Sequence, residues 1–332
     1  MKNIPKIPVI DLHADTFMHH LSYKQNPLLN YLHFNHKGDF IKPKDLLSIT
    51  PETLQAGNVK VQAQSLFIDS PSELAPLKSA LQTIALINKT IKQTPTYFAV
   101  DSCQTITDNL VNDKTGMFIT IEGLEVIEGD LDLLDIFYDL GVRIVGPTWN
   151  RQLPYNAPVY ESGGILAKGK ELVEKLDELG MILDISHCSD QSSFDYADLI
   201  KSPIIATHSN IRALNSHKRN LSDDQLMMLQ ERDGVFGINL CPYFIKPDKA
   251  GKNEDNGFEW CWQIIDYAAS KFSLDMVAIG TDFDGIASTP KGMENPSFYP
   301  KLIDFLLKKG MKLGEIEKVF FRNAMRVLQK VM

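Results

Sequence analysis

Eight short apolar runs, alternating with stretches of helical spacing, restrict this chain more than any other feature. The runs are Pro8–Asp15, Val59–Ile68, Gly116–Gly123, Val142–Asn150, Met181–His187, Pro203–Ser209, Val235–Cys241 and Met276–Phe283. Several are rich in Val and Ile, and each has the length of a buried strand. Between them, Leu172–Leu179 spaces its apolar residues as a helix does. Ser222–Leu229 opens with a capping serine and early acids, a helix-start pattern. Ser297–Leu307 and Leu313–Leu328 also have helical spacing. Eight buried strands joined by crossover helices define a (β/α)8 TIM barrel. The chain has 332 residues. A barrel of this kind takes roughly 250, and more with insertions. With no linker, repeat or low-complexity tract in view, residues 1–332 read as a single catalytic domain. A doubly wound open sheet would show the same alternation, but it usually carries a glycine-rich phosphate loop after its first strand. Here the first run ends in His-Ala-Asp, with no such loop.

In a β/α barrel the active site gathers at the C-terminal ends of the strands. The first run ends in His13 and Asp15, the third in Glu122, the fifth in His187, the sixth in His208 and the eighth in Asp282. Three histidines and three carboxylates would therefore meet at one mouth. His13 and Asp15 are two apart, so an extended chain turns both to one face. Nitrogen and carboxylate oxygen together suit zinc or another borderline divalent metal. A single open site takes about three protein ligands. Six candidates suit two ions sharing a carboxylate, and Glu122 is the natural bridge.

Taken one at a time, these residues have plainer readings. His187 or His208 alone reads as a hydrogen-bonded core histidine, and the aspartates of GTDFDG as turn residues. Their recurrence at the ends of successive runs favours the metal reading. His19, His20, His33 and His36 lie in a polar stretch and read as solvated. His217 is placed behind the site at most, Met227 and Met228 in a helix core, and Cys188 facing away from the metals. The four cysteines are scattered without a CxxC pair and read as buried thiols.

Charge removes other classes. The formal net charge is −8, which gives nucleic-acid binding no general support. No basic run marks a membrane surface, and no apolar stretch reaches the roughly 20 residues of a bilayer span. The N-terminal segment is too short and too proline-rich for a signal peptide, so a cytoplasmic location is expected.

The motifs resemble the renal (membrane) dipeptidase family of zinc peptidases. They are DLHADT at Asp11–Thr16, IEG at Ile121–Gly123, DISH at Asp184–His187, THSN at Thr207–Asn210, KRN at Lys218–Asn220 and GTDFDG at Gly280–Gly285. Order and spacing match over nearly the whole length. The resemblance implies that His13 and Asp15 hold one zinc and that His187 and His208 hold the second. It makes Glu122 the bridge between the two ions. It further implies Asp282 as the catalytic acid/base and Arg219 as the group that holds the substrate carboxylate, a role that suits a guanidinium fork. It also implies a homodimer and tolerance of a D-residue at the C-terminal position. One position departs: where studied members carry a histidine, Trp149 stands here, followed by Asn150, and both are expected to touch substrate. The implied reaction is hydrolysis of a dipeptide amide by a hydroxide held between two zinc ions. Another dinuclear barrel hydrolase, acting on a cyclic amide, lactone or N-acyl substrate, stays open, as does a non-catalytic metal-binding relative.

Overall fold

A computed structural model describes residues 4–18, 47–68, 75–245 and 257–332. His19, His20, His33 and His36 lie outside the described residues. Nine parallel strands form one sheet: β1 Val9–Asp11, β2 Val59–Phe67, β3 Tyr97–Ala99, β4 Thr115–Glu122, β5 Val142–Gly146, β6 Ile182–Asp184, β7 Ile204–Ile205, β8 Phe236–Ile238 and β9 Val277–Ile279. Eight of them follow the order β7-β6-β5-β4-β2-β1-β9-β8. The ends of that path meet through a parallel bridge between Ala206 and Phe236, where Ala206 N–H donates to Val235 and Gly237 N–H to Ala206. The sheet is thereby closed as a (β/α)8 barrel. Gly237 and Gly280 allow the closure: a Cβ on either would lie within 2.0 Å of the Thr207 carbonyl oxygen.

β3 was not foreseen. It pairs only with β4, outside the barrel path. Its sequence, Tyr-Phe-Ala, is half-buried and short, so it lacks the apolar length that marks the others.

The eight expected runs all hold strands, and all but β4 are shorter than their runs. β7 keeps two residues. Residues that follow the strands in these runs, among them His13, Asp15, His187, His208 and Asp282, leave the sheet at the barrel mouth and are buried there.

The core has two layers. One lies between strands and helices, with Leu172, Leu176, Leu226, Leu229, Leu302 and Leu306 as helix contributions. The other fills the barrel itself, with Ile10, Val61, Phe118, Ile144, Ile182, Ile205 and Ala278. C-terminal residues Phe321, Ala324, Met325 and Leu328 belong to this inner layer. Asn323 Nδ2 donates to the carbonyls of Leu274 and Val277 at the start of β9, 2.8 Å each. The C-terminal helical segment therefore covers the barrel end opposite the mouth. A buried Phe or Leu here contributes about 1.5–3 kcal/mol of transfer free energy.

The expected helices are present, with local differences. Ser222 caps Asp223–Glu231 in a capping box with Gln225. Only Met228 of the methionine pair is buried; Met227 is 49% exposed, because one turn of an amphipathic helix places neighbours on different faces. The stretch from Leu313 to Leu328 is broken by a π-helical turn over Lys318–Arg322. No helix among the described residues is long and apolar enough to cross a membrane.

Candidate active site

The mouth of the barrel gathers all six expected metal or acid/base residues. β1 ends at Asp11, but the chain stays extended beyond it and bridges Phe283 through Ala14. His13 and Asp15 therefore project to one side, with Nε2 and Oδ2 3.4 Å apart. Glu122, the last residue of β4, lies between two groups. Its Oε2 is 3.3 Å from His13 Nε2. Its Oε1 is 2.9 Å from His187 Nε2 and 3.5 Å from His208 Nε2. Asp282 Oδ1 closes the His13 side at 3.9 Å. Donor atoms of His13, Glu122 and His208 lie within 4.8 Å of one another, as do those of His13, Asp15 and Asp282.

The residues behind the histidines decide which nitrogen faces inward. Asn150 Oδ1 lies 3.0 Å from His187 Nδ1. An amide oxygen only accepts, so Nδ1 carries the hydrogen and Nε2 presents a lone pair. His208 Nδ1 lies 2.8 Å from Thr207 Oγ1, and the Thr207 hydroxyl donates to Asp184. The hydroxyl proton is thus committed, so His208 Nδ1 must donate and its Nε2 also faces inward unprotonated. Burial, followed by Arg219, pushes His187 down to about 4. Burial, followed by His13, pushes His208 well below the usual imidazole range. Both rings are neutral, the form that binds metal. For His13, burial opposes the charge, but Glu122 and Asp15 prevail and hold it well above the usual range.

The donor set fits divalent metal. His187 Nε2 and His208 Nε2 stand 3.1 Å apart. Two such lone pairs beside a carboxylate repel one another; Arg219 Nη2 reaches that of His187, and a cation among them would satisfy that of His208 and the carboxylate as well. His13 Nε2, buried in the same cluster, faces Glu122 Oε2 and Asp15 Oδ2 at 3.3 and 3.4 Å.

Asp282 has the backbone conformation of a strained position, φ 63°, and Asp284 follows at 65°. Such left-handed non-glycine residues cluster at functional sites. Asn239 Nδ2 donates to Asp282 Oδ2 at 2.9 Å, which leaves Oδ1 turned to the cluster. Burial pushes the Asp282 carboxyl up to about 7; Asp15 and Glu122 act in the same sense, with His13 and Asn239 opposing. A carboxyl poised near neutrality can both take and return a proton.

Arg219 is buried, with Nη1 donating to the Ser186 carbonyl. Its Nη2 donates to His187 Nε2 at 2.9 Å. Its Nε has no hydrogen-bond partner. Among the described residues no carboxylate comes within ion-pair distance of it. Phe244 lies 5.4 Å from the guanidinium carbon. His217, expected behind the site, accepts from Arg219 N–H at 3.2 Å. Trp149 lines the pocket, edge-on to Phe67 at 4.9 Å between ring centres. Asn150 also lines it, and its side-chain oxygen is engaged with His187. All four cysteines are buried free thiols.

Sequence reasoning missed the supporting residues. Asp11 accepts from Thr281 N–H and Oγ1–H at 3.0 and 2.6 Å, which ties β1 to the end of β9. Asp184, Thr207, Asn239 and Ser65 were not singled out either. Asp11, Asp184 and Thr207 do sit within the motifs, so a polar residue in an apolar run was the available signal. Asn239 and Ser65 lie outside the motifs, but each is likewise a polar residue in an apolar run, Val235–Cys241 and Val59–Ile68.

A closed β/α barrel with histidines and carboxylates converging at the strand C-termini defines a metal-dependent hydrolase. The chain belongs to the membrane dipeptidase family, peptidase family M19, whose model matches residues 3–332. It is 28% identical over 340 residues to a dipeptidase of Schizosaccharomyces pombe, covering 96% of this chain and 80% of that one. It is 27% identical over 343 residues to the dipeptidase aclJ of Aspergillus oryzae, covering 99% and 79%. The fold is shared with a metallopeptidase of Rhodobacter sphaeroides bound to a phosphinate mimic of L-Ala-D-Ala. That match has a TM-score of 0.86 at 23% identity and covers 98% and 99% of the two chains. The protein is a hydrolase of the dipeptidase class.

Proposed function

We propose that this protein hydrolyses the amide bond of free dipeptides with two zinc ions in the mouth of its barrel. The observation that carries this is the convergence of three imidazole Nε2 atoms on the single carboxylate of Glu122, with Asp15 and Asp282 gathered on the His13 side of the same cluster. His13 and Asp15 would hold one ion, His187 and His208 the other, and Glu122 both. When bound, the metal supplies Lewis acidity that polarises the scissile carbonyl and makes water acidic.

The chain's own residues supply the rest. Arg219 pairs with the substrate's C-terminal carboxylate, an anion that no described residue supplies to its buried guanidinium. That requirement places a free carboxylate one residue from the scissile bond and so favours dipeptides over longer chains. Asp282 Oδ1 takes the proton from the attacking water. It then passes that proton to the leaving amine, so the carboxylate is restored at the end of the cycle. Tolerance of a D-residue at the C-terminal position is supported by the L-Ala-D-Ala mimic bound to the Rhodobacter sphaeroides relative.

The test is elemental analysis of the purified protein together with amine release from L,L- and L,D-dipeptides, with and without a chelator. Two zinc per chain with chelator-sensitive cleavage supports the reading. Absence of metal uptake, or two zinc with no dipeptide cleaved, overturns it.

A further inference from the structure

Beyond the metal cluster and Arg219, the described lining of the pocket holds no charged group. The cavity is about 460 Å3, within the ordinary range for a small-molecule site. Its remaining described lining is Met18, Phe67, Trp149, Asn150, Tyr160, Cys241, Tyr243, Phe244, Gly285, Ile286 and Ala287. The aromatic residues fall into two groups. Phe244 stands beside Arg219 and packs on His217, which in turn meets Tyr160. Phe67 and Trp149 form the other group, on the ends of β2 and β5. Arg219 is seated on the carbonyls of Ser186 and His208, at the ends of β6 and β7. In the strand order β5, β4 and β2 follow β6. A dipeptide held by its carboxylate at Arg219 and extending across Glu122 therefore carries its N-terminal residue toward Phe67 and Trp149.

We propose that Phe67 and Trp149 form the subsite for the N-terminal side chain, and that it selects large apolar or aromatic residues over charged ones. This rests on the dipeptidase reading above. The physical cause is desolvation. Both rings are only partly buried, and an apolar side chain laid against them removes apolar surface of both partners from water. A lysine or glutamate side chain in the same place loses its hydration with no described group to pair it.

The experiment measures kcat and KM for X-Gly dipeptides with X as Gly, Leu, Phe, Lys or Glu, and for Gly-X counterparts. Wild-type protein is compared with Trp149→Ala, Phe67→Ala and Trp149→Phe. The wild type should favour Leu-Gly and Phe-Gly over Lys-Gly and Glu-Gly by about tenfold or more in kcat/KM. Trp149→Ala and Phe67→Ala should reduce the advantage of Leu-Gly and Phe-Gly over Gly-Gly about tenfold, through KM. The ratio of Gly-Leu to Gly-Gly should stay as in the wild type. Trp149→Phe should recover most of the preference, which a merely misfolded variant could not. Calorimetric binding of Phe-Gly and Lys-Gly to the Asp282→Asn protein should show the same order without turnover. Equal cleavage of charged and apolar substrates, or an equal loss for every dipeptide in Trp149→Ala, overturns the subsite. Complete absence of chelator-sensitive cleavage across the panel overturns the dipeptidase reading itself, and the subsite with it.

Discussion

His187 and His208 turn their Nε2 atoms toward each other at 3.1 Å, and each has its Nδ1 engaged from behind, by Asn150 and by Thr207. The orientation is thus set by the groups behind each ring. Thr207 hands its own hydroxyl proton to Asp184. Thr207→Val keeps the shape and removes the acceptor behind His208. Metal affinity, read by chelator competition, should fall roughly 10- to 100-fold. Unchanged affinity would show that His208 needs no such support.

Asp282 separates proton transfer from metal holding. Asp282→Asn keeps the bulk and the Asn239 contact but has no basic oxygen. Metal content should persist while turnover falls by several orders of magnitude, about 10²–10⁴-fold for the lost acid/base step. Elemental analysis beside initial rates checks both. Normal turnover would remove Asp282 from the role.

Metal uptake should depend on pH, weakening on the acid side. Metal-free His13 holds its proton well above the usual range because Glu122 and Asp15 overcome the effect of burial. Asp282 is protonated below about 7. A cation displaces protons from both sites, so they are most in its way at low pH. Affinity should fall as pH drops through neutrality, with protons released on binding. Calorimetry in buffers of different ionisation enthalpy measures the release, which Asp282→Asn should reduce near pH 6–7. A pH-independent affinity across that window would contradict the assignment.

Gly285 is required by space. A Cβ there would lie 2.1 Å from Asp15 Oδ2 and 2.6 Å from Asp282 Oδ1. Gly285→Ala should displace both carboxylates and cost about 1–3 kcal/mol of stability. Loss of metal affinity together with a lowered melting temperature is the expected result. A variant with wild-type metal binding would show that the loop yields freely.

Arg219→Lys retains charge but loses the fork. KM for dipeptides should rise roughly tenfold or more. KM for dipeptide amides, which have no carboxylate, should change far less. Equal effects on both substrate types would place the carboxylate elsewhere.

The alternation of apolar runs with helical spacing was enough to read the barrel, because buried parallel strands need continuous apolar faces and crossover helices need amphipathic ones. His13, Asp15, Glu122, His187, His208 and Asp282 were legible for a related reason: an ionisable residue closing an apolar run has no solvent to explain it. β3 was not legible, since a half-buried three-residue strand carries no such pattern. Nor was the pairing of Asn150 with His187 or of Asn239 with Asp282, because hydrogen bonds between residues 37 and 43 apart leave no trace in local spacing. The sequence by itself determined the eight barrel strands and the ionisable residues that close them. Only the tertiary structure decided which atoms face one another, since closure through Ala206 and Phe236 and the left-handed turn at Asp282 arise from contacts between distant strands.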